Sequence, residues 1–250
     1  MTEACEVIPV PDLKGLEYES KGQFEEFEER KVYVVGKETA KMALVCIYDV
    51  FGYHPNTFQG CDYLALNTES APLVIMPDFF KGEPLDPKKV GLVVDKTVVV
   101  DPTYREKWST QNSVPNHVPY LEKLLPWIQT RFPSVEKIGL YGFCWGGKFA
   151  VVAAKSKMVQ SAVLIHPSRI GELDADGVED VPLLVIASKN ESDESLQPFL
   201  TRLNKAEYVR MDDVAHGYAA ARGDWTDPVQ KNRAQETFKL TAEFFEKTLK

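Results

Sequence analysis

The stretch KIGLYGFCWGGKFAVVAAK, residues 137 to 155, decides the fold. KIGLYG reads as a near-continuous apolar strand and GGKFAVVAAK as a helix, so Cys144 falls on the turn between them. Gly142 and Gly146 stand two positions either side of it, as required where a turn is too tight for side chains to pass the neighbouring strand and helix. A residue at such an apex lies near a helix N-terminus, whose partial positive charge favours a thiolate. The backbone N–H of Trp145 would then point to where an oxyanion forms. Glycine-rich strand-to-helix turns also bind phosphate, but neither GxGxxG nor GxxxxGK(S/T) is completed here.

Working outward, similar β-rich runs recur: KVYVVG (31–36), ALVCIY (43–48), PLVIM (72–76), QSAVLIH (160–166), PLLVIAS (182–188) and AEYVRM (206–211). Strands of this kind are covered on both faces, which is the condition of a mainly parallel sheet. Between them, Val118, Leu121, Leu124, Leu125 and Ile128 make one apolar helix face, bent at Pro126. Phe238, Thr241, Phe244, Phe245 and Leu249 make another. No repeat or linker divides the chain, so one α/β domain over residues 1–250 is expected, with helices on both faces of the sheet. Residues 81–116, rich in proline and charge, read as loops and short helices over the sheet edge.

The chain has 250 residues with 29 Lys plus Arg against 37 Asp plus Glu, a net charge of −8, which repels nucleic acid and anionic membrane. MTEACEVIPVPDLKG lacks the basic start and apolar run of a signal peptide, and no later run approaches spanning length. A soluble, cytoplasmic protein is expected. Cys5, Cys46, Cys61 and Cys144 are widely spaced, with no CxxC, in a chain of only four histidines, so neither a disulfide framework nor a metal site is expected.

A cysteine nucleophile needs a base, and in α/β-hydrolases the chain order is nucleophile, acid, histidine. Only His166 and His216 follow Cys144. His216, in the polar loop DDVAHGYAAARGD, is the expected base, and His166 is expected to line the site or pack; His54 and His117 have no assigned role. The acid should follow PLLVIAS, where SKNESDES offers Glu191 and Asp193. Glu191 is nearer the strand end and is preferred, while Asp193 could equally cap a helix.

GFCWGGK (142–148), AHGY (215–218), YDVFG (48–52) and PDFF (77–80) together resemble the dienelactone hydrolase family, over most of the chain from about Val32 onward. HPS (166–168) and HGYAAARGD (216–224) resemble a less characterised branch of it. The resemblance implies an α/β-hydrolase fold and a Cys-His-Asp triad on Cys144, His216 and the acid after PLLVIAS, with the family's Asp falling on Glu191. It further implies that Asp49 restrains the resting thiol and that the N–H groups of Val50 and Trp145 form the oxyanion hole. The arginines that hold a substrate carboxylate in the family have no clean match; Lys81 and Arg222 are the candidates, and Arg222 could instead pair with Asp224. Phe51, Tyr53, Phe80, Phe143, Trp145 and Tyr218 would give an aromatic pocket.

The expected activity is therefore that of a carboxylic ester hydrolase. It would cleave a small-molecule ester or lactone through an acyl-cysteine, without a cofactor, as a monomer or homodimer with no nucleic-acid or membrane partner. Two alternatives stand beside it. One is a weak or inactive hydrolase-fold protein that binds a small molecule or partner; the other is a lyase, isomerase or cyclase on the same scaffold.

Overall fold

Eight strands form one sheet in the order β1-β2-β4-β3-β5-β6-β7-β8 in the computed structural model, which describes residues 18–93 and 97–249. The strands are β1 (Gln23–Phe27), β2 (Arg30–Val35), β3 (Met42–Ile47), β4 (Leu73–Pro77), β5 (Lys137–Phe143), β6 (Ala162–Ile165), β7 (Leu183–Ser188) and β8 (Ala206–Met211). From β4 to β8 every neighbouring pair is parallel, and β1 and β2 add an antiparallel margin. Leu44, Val45, Tyr141, Val163, Leu164 and Val185 are fully buried, because helices cover the central strands on both faces.

The helices are α1 (Pro55–Asn67), α2 (Tyr104–Gln111), α3 (Val114–Arg131), α4 (Trp145–Lys155), α5 (Asp193–Leu200) and α6 (Pro228–Thr248). Side chains along β5 alternate between faces. A Cβ at Gly139 would strike Phe245 of α6, whereas one at Gly142, on the opposite face, would strike α4. Thus α1 packs with α6 on one side of the sheet and α3 with α4 on the other. Both anticipated apolar helix faces are buried, on α3 and α6, and α3 carries Pro119 as well as Pro126. No described helix is long and apolar enough to cross a membrane.

Three features depart from the sequence reading. The first is β1, joined to β2 by a turn in which Glu28 and Glu29 have φ of 47° and 59°. Such hairpin turns usually announce themselves with Asn-Gly or Asp-Gly, and this one does not. The second is α1, whose buried side includes Asn56, Thr57 and Asp62 and so shows no apolar period. The third is residues 81–116, which close over the carboxyl ends of the central strands rather than the sheet edge. Leu85 N–H donates to the Val50 carbonyl at 2.9 Å, and the Trp145 indole N–H donates to the Asn112 carbonyl at 3.0 Å. Cys5 lies outside the described residues; Cys46, Cys61 and Cys144 are buried, and no disulfide joins them.

Candidate active site

Cys144 follows β5 directly and precedes α4 with φ 53° and ψ −108°, a conformation that non-glycine residues avoid. Its backbone is fixed on both sides. The N–H donates to the Ile165 carbonyl at 3.1 Å, and its carbonyl accepts from Gly147 and Ser168, each at 3.1 Å. The flanking glycines are required by backbone atoms: a Cβ on Gly142 would lie 2.1 Å from the Gly146 carbonyl oxygen, and one on Gly146 would lie 2.1 Å from that of Ile47. Trp145 opens α4, where an N–H has no acceptor within the helix.

His216 is brought to the same place by the loop after β8. Its Nδ1 lies 2.5 Å from Glu191 Oε1, and both residues are buried. Glu191 Oε2 accepts from the Ser188 N–H at 2.7 Å at the end of β7, and the His216 N–H donates to Asn190 Oδ1 at 2.9 Å. Burial alone would raise the Glu191 carboxyl, but the hydrogen bond to His216 and that ring's charge outweigh it and hold the group below the usual carboxylate range. Asp193 is placed elsewhere. It sits in the first turn of α5, half exposed, and accepts from the Tyr208 hydroxyl at 2.7 Å and from Arg210 at 3.2 Å. Ser192, not Asp193, caps that helix, accepting from the Ser195 N–H.

Asp49, Val50, Phe51, Cys144, His216, Gly217 and Arg222 line one small cavity of about 10 Å³. The Asp49 carboxylate accepts from the Phe51 N–H at 2.9 Å and from the Ala221 N–H at 3.3 Å, bridging the loop after β3 to the histidine loop. Burial pushes its carboxyl up to about 6, against the lowering from the Phe51 N–H and the Arg222 charge. Arg222 stands 5.1 Å over the Phe51 ring, while Asp224 accepts from the Thr226 N–H and hydroxyl.

Four residues expected at the site, Lys81, Tyr218, Phe143 and Tyr53, are not there. Lys81 is exposed and lines none of the cavities around Cys144. Tyr218 is buried behind the site, its hydroxyl bonded to Thr237 and its ring 5.6 Å from that of His166, because Gly217 turns the chain away from the cavity. Phe143 and Tyr53 also pack away from the cavity: Phe143 against His166, and Tyr53 with its hydroxyl on the Lys31 and Met76 carbonyls. His166 is fully buried with its ring 4.9 Å from that of His216, forming the floor beneath it. His54 caps α1 through Nδ1, and His117 packs on Phe80 and Trp145.

The sequence reading missed the residues that hold the histidine loop. Asn190 receives the His216 N–H, and Asn56 Nδ2 donates to the Ala220 and Gly223 carbonyls at 3.0 and 2.7 Å. Their only signal is an asparagine beside the acid and another opening a helix. Among the described residues, no three His, Cys, Asp or Glu side chains are grouped to hold a metal.

An uncharacterised AIM2 family protein of Schizosaccharomyces pombe is 29% identical over 253 residues, covering 98% of this chain and 99% of its own. The carboxymethylenebutenolidase homologue of Xenopus tropicalis is 32% identical over 149 residues, 58% of this chain and 54% of its own. Among solved structures, dienelactone hydrolase from Anabaena variabilis superposes with a TM-score of 0.63 at 15% identity, over 93% of this chain and 99% of that one, which bears on the fold alone. The family model for dienelactone hydrolases matches residues 31–249, nearly the whole of the sheet and every loop that lines the cavity at Cys144, and the chain therefore belongs to the dienelactone hydrolase family.

Proposed function

We propose that the protein hydrolyses an ester or lactone of a small molecule through an acyl-cysteine intermediate. The observation that carries this reading is the buried Glu191–His216 pair, joined at 2.5 Å, whose histidine lines the same cavity as the strained Cys144. With Nδ1 turned to the carboxylate, Nε2 is the ring nitrogen that exchanges protons with the thiol. Asp49 shares the cavity and restrains the resting thiol until substrate enters. The Cys144 thiolate attacks the carbonyl carbon, forming a C–S bond, and the oxyanion is held by the N–H groups of Val50 and Trp145. As the C–O bond breaks, His216 gives its proton to the departing oxygen. His216 then takes a proton from water, whose oxygen attacks the thioester; the C–S bond breaks and the sulfur recovers its proton. No cofactor enters these steps. Arg222 is the one proposed carboxylate-binding cation that lines the cavity.

A second reading, a binding protein with little or no turnover, is favoured by the size of that cavity, which at about 10 Å³ has room for roughly one water. A cytoplasmic, small-molecule role fits the net charge of −8 and the cysteines Cys46, Cys61 and Cys144, which no disulfide joins. The test is stopped-flow reaction with p-nitrophenyl acetate, with intact mass measured on quenched samples. A transient acetyl adduct on Cys144, absent in Cys144→Ser and His216→Ala, is expected. No adduct and no turnover, with p-nitrophenyl acetate and with a dienelactone alike, would overturn the hydrolase reading in favour of binding.

A further inference from the structure

Two larger cavities adjoin the small one at Cys144, and consecutive residues open into them. Val50 lines both the small cavity and a chamber of about 250 Å³ walled mainly by Trp108, Val114, Pro115, Trp145 and Val152; Lys148 and Arg169 also line it, the Lys148 ammonium being bonded to Asp174 and to the Arg169 carbonyl. Phe51 lines both the small cavity and a chamber of about 790 Å³ that carries Glu83, Asp86, Lys89, Tyr104 and Lys107. Trp108 and Asn112 border both chambers, and Trp108 supplies the ring. That indole is buried and fixed: its N–H donates to the Glu83 carbonyl at 3.1 Å and its ring lies 4.9 Å from that of Phe80.

We infer that Trp108 is a specificity-determining partition, dividing the cleft into an apolar acyl chamber and a larger polar chamber for the departing alcohol. This rests on the acyl-cysteine reading above. The assignment of sides follows from the chemistry. His216 must deliver a proton to the departing oxygen, so the alcohol lies toward the histidine loop, where Arg222 stands over Phe51, and Phe51 opens into the large chamber. Ser168, whose N–H donates to the Cys144 carbonyl, and Trp145, next to the nucleophile, open into the small chamber. A cavity of about 150 Å³ lined by aliphatic and aromatic side chains accepts benzene, so the small chamber takes a ring with a short chain but not a long-chain acyl group. The substrate class is thus an ester or lactone with a compact apolar acyl portion and a bulkier polar alcohol portion.

Two variants probe the chamber from different sides, with p-nitrophenyl acetate, phenylacetate and decanoate as substrates. Val152 lies on a partly exposed helix position facing the chamber, and Val152→Phe plugs it; the kcat/KM ratio of phenylacetate to acetate should fall about tenfold. Trp108→Ala merges the chambers, and the ratio of decanoate to acetate should rise about tenfold, with Trp108→Phe returning toward the native ratio. If Cys144 is acylated and esters turn over, but Val152→Phe keeps the native acyl profile, the partition is overturned while the hydrolase reading stands. If no ester acylates Cys144, the underlying reading fails first. Should Trp108→Ala not fold, Val152→Phe decides the matter alone.

Discussion

Cys144 occupies a backbone conformation that a non-glycine residue keeps only where its surroundings over-determine it, and here the surroundings are backbone atoms. Gly142→Ala places a methyl group against the Gly146 carbonyl, which cannot retreat, and should destabilise the protein by more than about 3 kcal/mol in urea unfolding. At the acid, geometry separates two carboxylates that sequence left adjacent. Glu191→Gln should slow acylation by p-nitrophenyl acetate by roughly 10³-fold or more, because the amide no longer holds His216 in the productive tautomer, while Asp193→Asn should retain the native rate. His117 offers a residue-scale test of stability. Neither ring nitrogen has a hydrogen-bond partner among the described residues, and burial lowers its pKa to about 4. The folded-state value lies below that of the unfolded chain, so stability is full above about pH 6.5 and is lost as pH falls toward 4. His117→Phe should therefore lose roughly 2 kcal/mol less than the native protein between pH 7 and 5, read from urea midpoints.

The elements differ in how plainly their residues announce them. Strands β3 to β7 are legible because both their faces are buried over most of their length, leaving runs such as LVIM and LLVIA with little polar interruption, while β2 and β8 keep an apolar run beside exposed charged positions. The edge strand β1, QFEEF, is half exposed and carries Glu25, whose partner Arg131 is more than a hundred residues away. Its turn is a pair of glutamates held at positive φ, and Glu29→Gly should relieve that strain and raise stability by about 1 kcal/mol, seen as a higher Tm. At the site, the elbow was legible from local spacing alone. The placements of Tyr218 and Lys81 were not, since each depends on which way one residue turns: Gly217 at φ 91° before the tyrosine, and Lys81 itself at φ 54°. Trp108 and Asn112 were equally hidden, because their role comes from how α2 folds back over Val50 and Trp145.

For the molecule as a whole, the net charge of −8 acts on every approaching ligand. Esters bearing a carboxylate should show a kcat/KM that rises with ionic strength as the Debye length falls from about 30 Å at 0.01 M to about 3 Å at 1 M, whereas neutral esters should not respond. A carboxylate ester indifferent to salt would mean that Arg222 dominates the local field. The site itself draws on the loops after β3, β5, β7 and β8, and the bond from the Ala221 N–H to Asp49 joins positions 172 residues apart. Nucleophile precedes acid and base along the chain, so during synthesis the elbow leaves the ribosome well before the residues proposed to activate its sulfur. On the proposed mechanism a polypeptide truncated before His216 lacks the base and should form no acyl adduct, however complete its elbow.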